Sequence, residues 1–230
     1  MTFFEMGEVK QFVFVFTENF TSIEGMLFAF EAEERVFSFP VVVGKRGMGW
    51  GREVELAGPL KEEGDLRAPC GLFLLGPLFG KKIKKEFKMP FLTLQACHVC
   101  VDDSSSLWYN RIISEKEVNK DWKSSEKMRR EDGLYELGVI IQYNTDPVVP
   151  HRGSCIFMHS WRGPNRETMG CTAMAKENLF RLAEWLDPEK DPHLLQLPQS
   201  AYSLFLSSLQ SETIRSSITK RATALITKKG

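Results

Sequence analysis

Three runs near the start of the chain, QFVFVFT, GMLFAFE and RVFSFPVVVG, are short and dense in Phe and Val, with acidic or Gly-containing residues between them. That composition and length suit strands. A chain that opens this way must bury its aromatic strands against one another, so a meander or a set of hairpins is expected first. The following stretch, GKRGMGWGREVELAGPLKEEGDLRAPCGLFLLGPLFG, breaks its apolar runs with Gly and Pro too often for a helix. It reads as loops joined by brief strands.

Further on, FLTLQACHVCVDD and LGVIIQYN read as buried strands. Between them, SSEKMRRE offers Ser124 or Ser125 as the N-cap of a short helix. SCIFMHS is another apolar run of strand length, ending at His159 and Ser160. In AKENLFRLAEWLD, Leu179, Leu182, Ala183 and Leu186 recur at helical spacing and Asp187-Pro188 supplies the stop. HLLQLP reads as a last strand. From Gln199 the chain is rich in Ser and Thr, with apolar clusters and a basic end, which fits either a docked helix or a partly ordered appendage. Strands outnumber helices, so the expected fold is mainly β, a sandwich or partly closed barrel with one or two helices packed on it. Residues 1–198 would form that unit, and 199–230 an extension.

The 230 residues are long enough for one sizeable core or two small ones, and at 43% hydrophobic and 26% charged the composition is that of a globular protein and argues against disorder throughout. Thirty basic residues balance thirty acidic ones. Nothing in that balance attracts nucleic acid or anionic lipid, and any basic site must be local. No apolar segment reaches the roughly 20 residues of a spanning helix. Glu5 and Glu8 precede the short apolar run where an export signal would carry positive charge. Taken literally, these features point to a soluble chain that begins in the cytoplasm.

Five cysteines, Cys70, Cys97, Cys100, Cys155 and Cys171, leave at least one thiol free. CHVC at 97–100 holds three potential zinc ligands. No second Cys or His pair follows at suitable spacing, so packing in a strand is the expected role and no metal is predicted. Cys155 shares strand parity with His159 and is likewise assigned to packing. GKRGMGWG lacks the Lys-Ser/Thr ending and the helix of a phosphate loop and reads as a turn. Trp50 and Trp108 are expected in the core; Trp161 adjoins the one segment that carries chemistry.

That segment is FMHSWRGPNRETMGCTAM, Phe157 to Met174. A cysteine is nucleophilic as thiolate, so it needs a proton acceptor and donors for the developing oxyanion. His159 at a strand end can be the acceptor, and Ser160 can orient the imidazole through its hydroxyl or its carbonyl. Gly170 permits the tight turn that would aim N–H groups beside Cys171 at one point. A buried thiol and a core-edge histidine is the alternative reading of the same residues.

GSCIFMHSWRGPNRETMGCTAM resembles the catalytic segment of the L,D-transpeptidase (YkuD-type) family. Upstream, GPLKEEGDLRAPCGLFLLGPLFG and CVDDSSSLWYNRII are similar to stretches of the same family, and NLFRLAEWLDPEKDPHLLQLP is similar to its closing helix and strand. The likeness runs from about Lys10 to Pro198. It implies a mostly β catalytic domain acting on peptidoglycan stem peptides without a cofactor. Cys171 takes the position of the nucleophile, His159 of its base, Ser160 of the base's support and Gly170 of the preceding glycine. The implied reaction is attack on a diamino-acid carbonyl of a tetrapeptide stem, loss of D-alanine and transfer of the thioester to an amine. Met169 stands where many members have a second His, and no Arg follows Cys171. Arg162, Arg166 and Arg67 are therefore the expected contacts for anionic stem peptides, with Trp161 beside them. Transfer to water would make the same site an L,D-carboxypeptidase, and loss of chemistry would leave a wall-binding protein. The family implies work at the cell envelope.

Overall fold

The computed structural model describes residues 9–51 and 54–226; Glu5 and Glu8 of the export reading, and the basic end 227–230, lie outside them. The opening runs form an antiparallel meander of β1 (Gln11–Thr17), β2 (Glu24–Glu31) and β3 (Glu34–Val42). All seven residues of β1 are buried because strands flank it on both edges and both of its faces are covered. Its second neighbour is the last strand of the chain, β13 (His193–Pro198), which runs parallel to it from Phe12↔His193 to Thr17↔Pro198.

The Gly/Pro-rich stretch departs from the expected brief strands. After β4 (Met48–Trp50) it contains β5 (Ala68–Gly80), the longest strand of the structure, which crosses Gly71, Gly76 and Pro77. A proline gives no N–H to a ladder, so a strand tolerates it at an irregularity. Such an irregularity is present: the register against β10 (Leu137–Ile141) shifts between Val139 and Ile141, opposite Leu78 and Leu75. The glycines serve close approach. A Cβ at Gly80 would stand 2.2 Å from the Glu136 carbonyl oxygen.

Strand β5 also closes the sheet. The order β10, β11 (Phe157–Ser160), β12 (Thr172–Met174), β3, β2, β1, β13, β5 returns to β10, giving an eight-stranded ring from which β4 and β6 (Phe91–Thr93) extend along β5. Closure removes free edges. The core inside and around the ring includes Phe12, Phe14, Leu27, Leu78, Leu137 and Leu195. Each fully buried Phe or Leu contributes about 2–3 kcal/mol of transfer free energy.

A separate three-stranded sheet, β8–β7–β9, is built from β7 (His98–Val101), β8 (Ile112–Ser114) and β9 (Ser125–Lys127). FLTLQACHVCVDD is thus two strands in different sheets rather than one. The helix expected in SSEKMRRE is strand β9 instead. Pairing of Lys127, Glu126 and Ser125 with Val99, Cys100 and Val101 overrides the weak local cap signal.

Helix α1 (Lys176–Trp185) forms as its spacing predicts, packs on β10 and β11, and gives way to a turn capped by Asp187, whose carboxylate accepts the Glu189 N–H. The tail is helical, as α2 (Tyr202–Ser208) and α3 (Glu212–Ile226). Tyr202, Phe205, Ile214, Ile218 and Ala222 join the main core, and Arg221 lies 5.1 Å from the centre of the Phe12 ring. Among the described residues no helix is long and apolar enough to cross a membrane.

Candidate active site

Strands β11 and β12 run side by side in parallel, with Met158↔Thr172 and His159↔Ala173 in register. Side chains alternate along a strand, so one step back from this register places Cys171 beside Phe157, on the face that His159 shares. The Phe157 N–H indeed reaches the Cys171 Sγ at 3.3 Å. Cys171 and His159 both line a cleft of about 280 Å³ with Lys61, Glu126, Arg130, Tyr135, Trp161, Arg162 and Arg166.

The imidazole is held from two sides. Its Nδ1 lies 2.8 Å from the Ser160 carbonyl oxygen. A carbonyl can only accept, so Nδ1 carries the proton and Nε2 the lone pair. The support therefore comes from the Ser160 main chain, one of the two routes the sequence left open. The Tyr135 ring packs edge-on against the imidazole at 5.3 Å. Tyr135 in turn donates to Glu126 (2.8 Å), as does Arg130 (2.9 Å), and Arg130 also grips Asp132. Burial pushes His159 down to about 4, opposed by the Ser160 bond and reinforced by Arg130 and Arg162.

Cys171 is buried, and burial pushes its thiol up to about 12, with the Glu126 charge adding to the effect. At pH 7 a thiol titrating there is ionised to on the order of one part in 10⁵. The resting pair is a neutral thiol and a neutral imidazole, and any nucleophilic use of the sulfur would need a base. In this conformation Sγ donates to the Cys155 carbonyl (3.5 Å) and not to His159.

The turn before Cys171 is organised by a residue that the sequence reading missed. Thr168 Oγ1 accepts the Gly170 N–H (3.1 Å) and donates to the Cys171 carbonyl (2.7 Å). Gly170 takes φ 144°, and a Cβ there would stand 3.0 Å from the Arg67 carbonyl oxygen, so both conformation and space call for glycine. The Gly170 N–H, one of the donors expected to meet an oxyanion, is engaged with Thr168 here.

The expected binding residues separate. Trp161, Arg162 and Arg166 line the cleft; Arg162 is exposed and stands 3.6 Å from Asp132. Arg67 does not line it. Its guanidinium donates to the carbonyls of Arg46 (2.6 Å), Met48 (3.0 Å) and Phe20 (3.4 Å), bracing the loop around β4. Trp50 is fully buried and Trp108 packs in the small sheet.

Cys155 requires a correction. It precedes β11 with φ 56°, off the regular strand, and forms a disulfide with Cys100 of β7. Its role is a cross-link and not packing alone. Cys70, Cys97 and Cys171 are free thiols. Among the described residues, no group of three His, Cys, Asp or Glu side chains could hold a metal.

Compared with family models, residues 20–195 match the L,D-transpeptidase catalytic domain (YkuD). The chain belongs to the L,D-transpeptidase family. Comparisons with curated proteins and with solved structures give no match. The matched span of this L,D-transpeptidase-family chain includes every strand of the closed ring except β1 and the end of β13, and all of the cleft described above.

Proposed function

We propose that this protein is a cysteine acyltransferase acting on peptidoglycan stem peptides. The observation that carries the reading is the pairing within one cleft of the Cys171 thiol with an imidazole whose Nδ1–H is fixed on the Ser160 carbonyl, leaving Nε2 as base. The Cys171 sulfur attacks the carbonyl of the diamino-acid residue in a tetrapeptide stem while its proton passes to His159 Nε2. Collapse of the tetrahedral intermediate expels the terminal D-alanine, whose amine takes the proton from the imidazolium, and leaves a thioester on Cys171. An amine of a second stem then attacks the thioester, with His159 again accepting the proton; the C–S bond breaks, the Cys171 sulfur leaves and takes that proton back, and the new amide is the cross-link. Water in that step gives L,D-carboxypeptidase activity.

Since Sγ is hydrogen-bonded to the Cys155 carbonyl in the free site, substrate must draw it from that bond to the imidazole. Catalytic hydrogen bonds commonly tighten only in the substrate complex. Arg162, Arg166 and Trp161 are proposed to hold the stem peptide, its carboxylates at the two guanidinium groups. The wall as substrate assigns the protein to the envelope.

The test is exposure of the purified protein to a carbapenem, followed by intact-mass measurement. The wild type is expected to gain one covalent adduct, and Cys171→Ala none. An unmodified wild type means that the fold has lost its chemistry and binds wall fragments only. Tetrapeptide stems then separate the two activities: cross-linked dimers for transfer, tripeptide alone for hydrolysis.

A further inference from the structure

We propose that the Cys100–Cys155 disulfide is a positioning cross-link for the Cys171 sulfur, so that acyl transfer runs at full rate only when this pair, itself outside the chemistry, is oxidised. The proposal rests on the acyl-transfer reading above. Of the groups that act on the sulfur, which also include the Lys61 and Arg130 charges, the disulfide ties three. The Cys155 carbonyl accepts from Sγ at 3.5 Å, and the Phe157 N–H, two residues on, donates to it at 3.3 Å. The third is Glu126, whose negative charge bears on Cys171 across the cleft. Glu126 is directly opposite Cys100 in the β7–β9 ladder.

The small sheet that carries Glu126 shares no strand pairing with the ring that carries Cys171. Their boundary is a cluster in which Cys100, Cys155, Cys171, Phe157, Tyr135 and Met128 pack together. A disulfide across that boundary fixes the wall of the cleft relative to the thiol. Weaker ties flank it: Asn110 Oδ1 accepts the Cys155 N–H at 2.8 Å, and Ser154 donates to Glu63 at 2.8 Å. With these intact, cleavage of the S–S bond displaces the segment and does not release it. A dithiol supplies the two electrons and two protons that turn the disulfide into two thiols, and leaves as its own cyclic disulfide.

The experiment compares acylation of Cys171 by a carbapenem in oxidised protein and in protein reduced with dithiothreitol and desalted, with intact mass reporting both the redox state and the adduct. The rate constant is expected to fall roughly tenfold to a hundredfold on reduction, as for a reacting group misplaced by about 1 Å. Full adduct amplitude should be retained, the pH–rate profile should shift, and reoxidation should restore the rate. The Cys100→Ala/Cys155→Ala variant should reproduce the reduced rate and ignore dithiothreitol. Equal rate constants in the two redox states overturn this proposal alone. A loss of amplitude with rate constant and pH profile unchanged makes the bond a stability element only, and also overturns it. Oxidised wild type that forms no adduct overturns the acyl-transfer reading and this proposal together.

Discussion

Protonation of His159 should destabilise this protein from within its cleft. The imidazole is 7% exposed and its pKa falls from 6.5 to about 4, with burial as the largest cause and the cations Arg130 and Arg162 adding to it. Above pH 6.5 the ring is neutral in both folded and unfolded chains, so stability is fully present. As pH falls below 6.5 the unfolded chain takes up a proton that the folded one refuses, and stability drains until the folded ring also titrates near 4. Two and a half pKa units at 1.36 kcal/mol each cap the loss, and between pH 7.5 and pH 4 it amounts to about 3 kcal/mol. His159→Asn keeps a donor for the Ser160 carbonyl and removes the titration. Urea unfolding of both proteins at intervals from pH 7.5 to pH 4 isolates this contribution, because carboxylates such as Asp132 and Glu126 titrate in both. The wild-type curve should fall more steeply by about 3 kcal/mol over the window. Parallel curves would show that the folded imidazole accepts a proton as readily as a free one, which refutes the buried, neutral base.

Four further outcomes follow from the packing. Thr168→Val removes both bonds that shape the Gly170–Cys171 turn, and should slow carbapenem acylation about tenfold or more while costing about 1–3 kcal/mol in urea unfolding. Arg67→Met should lower stability by roughly 1–2 kcal/mol and leave the acylation rate per folded molecule unchanged; a slower rate at unchanged stability would return Arg67 to the substrate. Gly138→Ala drives a Cβ to 2.2 Å from the end of the Phe79 ring, so its melting temperature should fall, and Phe79→Leu in the same chain should recover part of the loss. Phe205→Ala empties a site stacked on Trp50 at 6.2 Å, and should cost about 3–5 kcal/mol by denaturant titration, because the tail belongs to the main core.

Elements whose own residues carry the signal were legible before any coordinates. The Phe/Val meander, α1 with its Asp187-Pro188 stop, and β13 all stand where composition and period put them. β5 was hidden because Gly and Pro are read locally as breakers, whereas here they answer to neighbours far away in sequence, Glu136 for Gly80 and the β10 irregularity for Pro77. In the site, His159 and the Ser160 carbonyl are on β11 and Cys171 immediately precedes the adjacent β12, a short way on in sequence, so spacing could bring them together. Thr168 had a signal, a hydroxyl residue three positions before the cysteine and able to bond its own turn. Tyr135, Glu126 and the Cys100–Cys155 bond had none, since each depends on how the small sheet meets the ring. Arg67 misled for the converse reason: a cation near a conspicuous motif serves main-chain carbonyls.

The central place of β1 has a consequence for biosynthesis. Its residues leave the ribosome long before those of the strand that covers its second edge, 193–198. Until those residues emerge, a ribbon of phenylalanine and valine keeps one row of unpaired amides open to any passing strand. A nascent chain of this design has to be shielded over that interval, and the ring snaps shut only once β13 arrives.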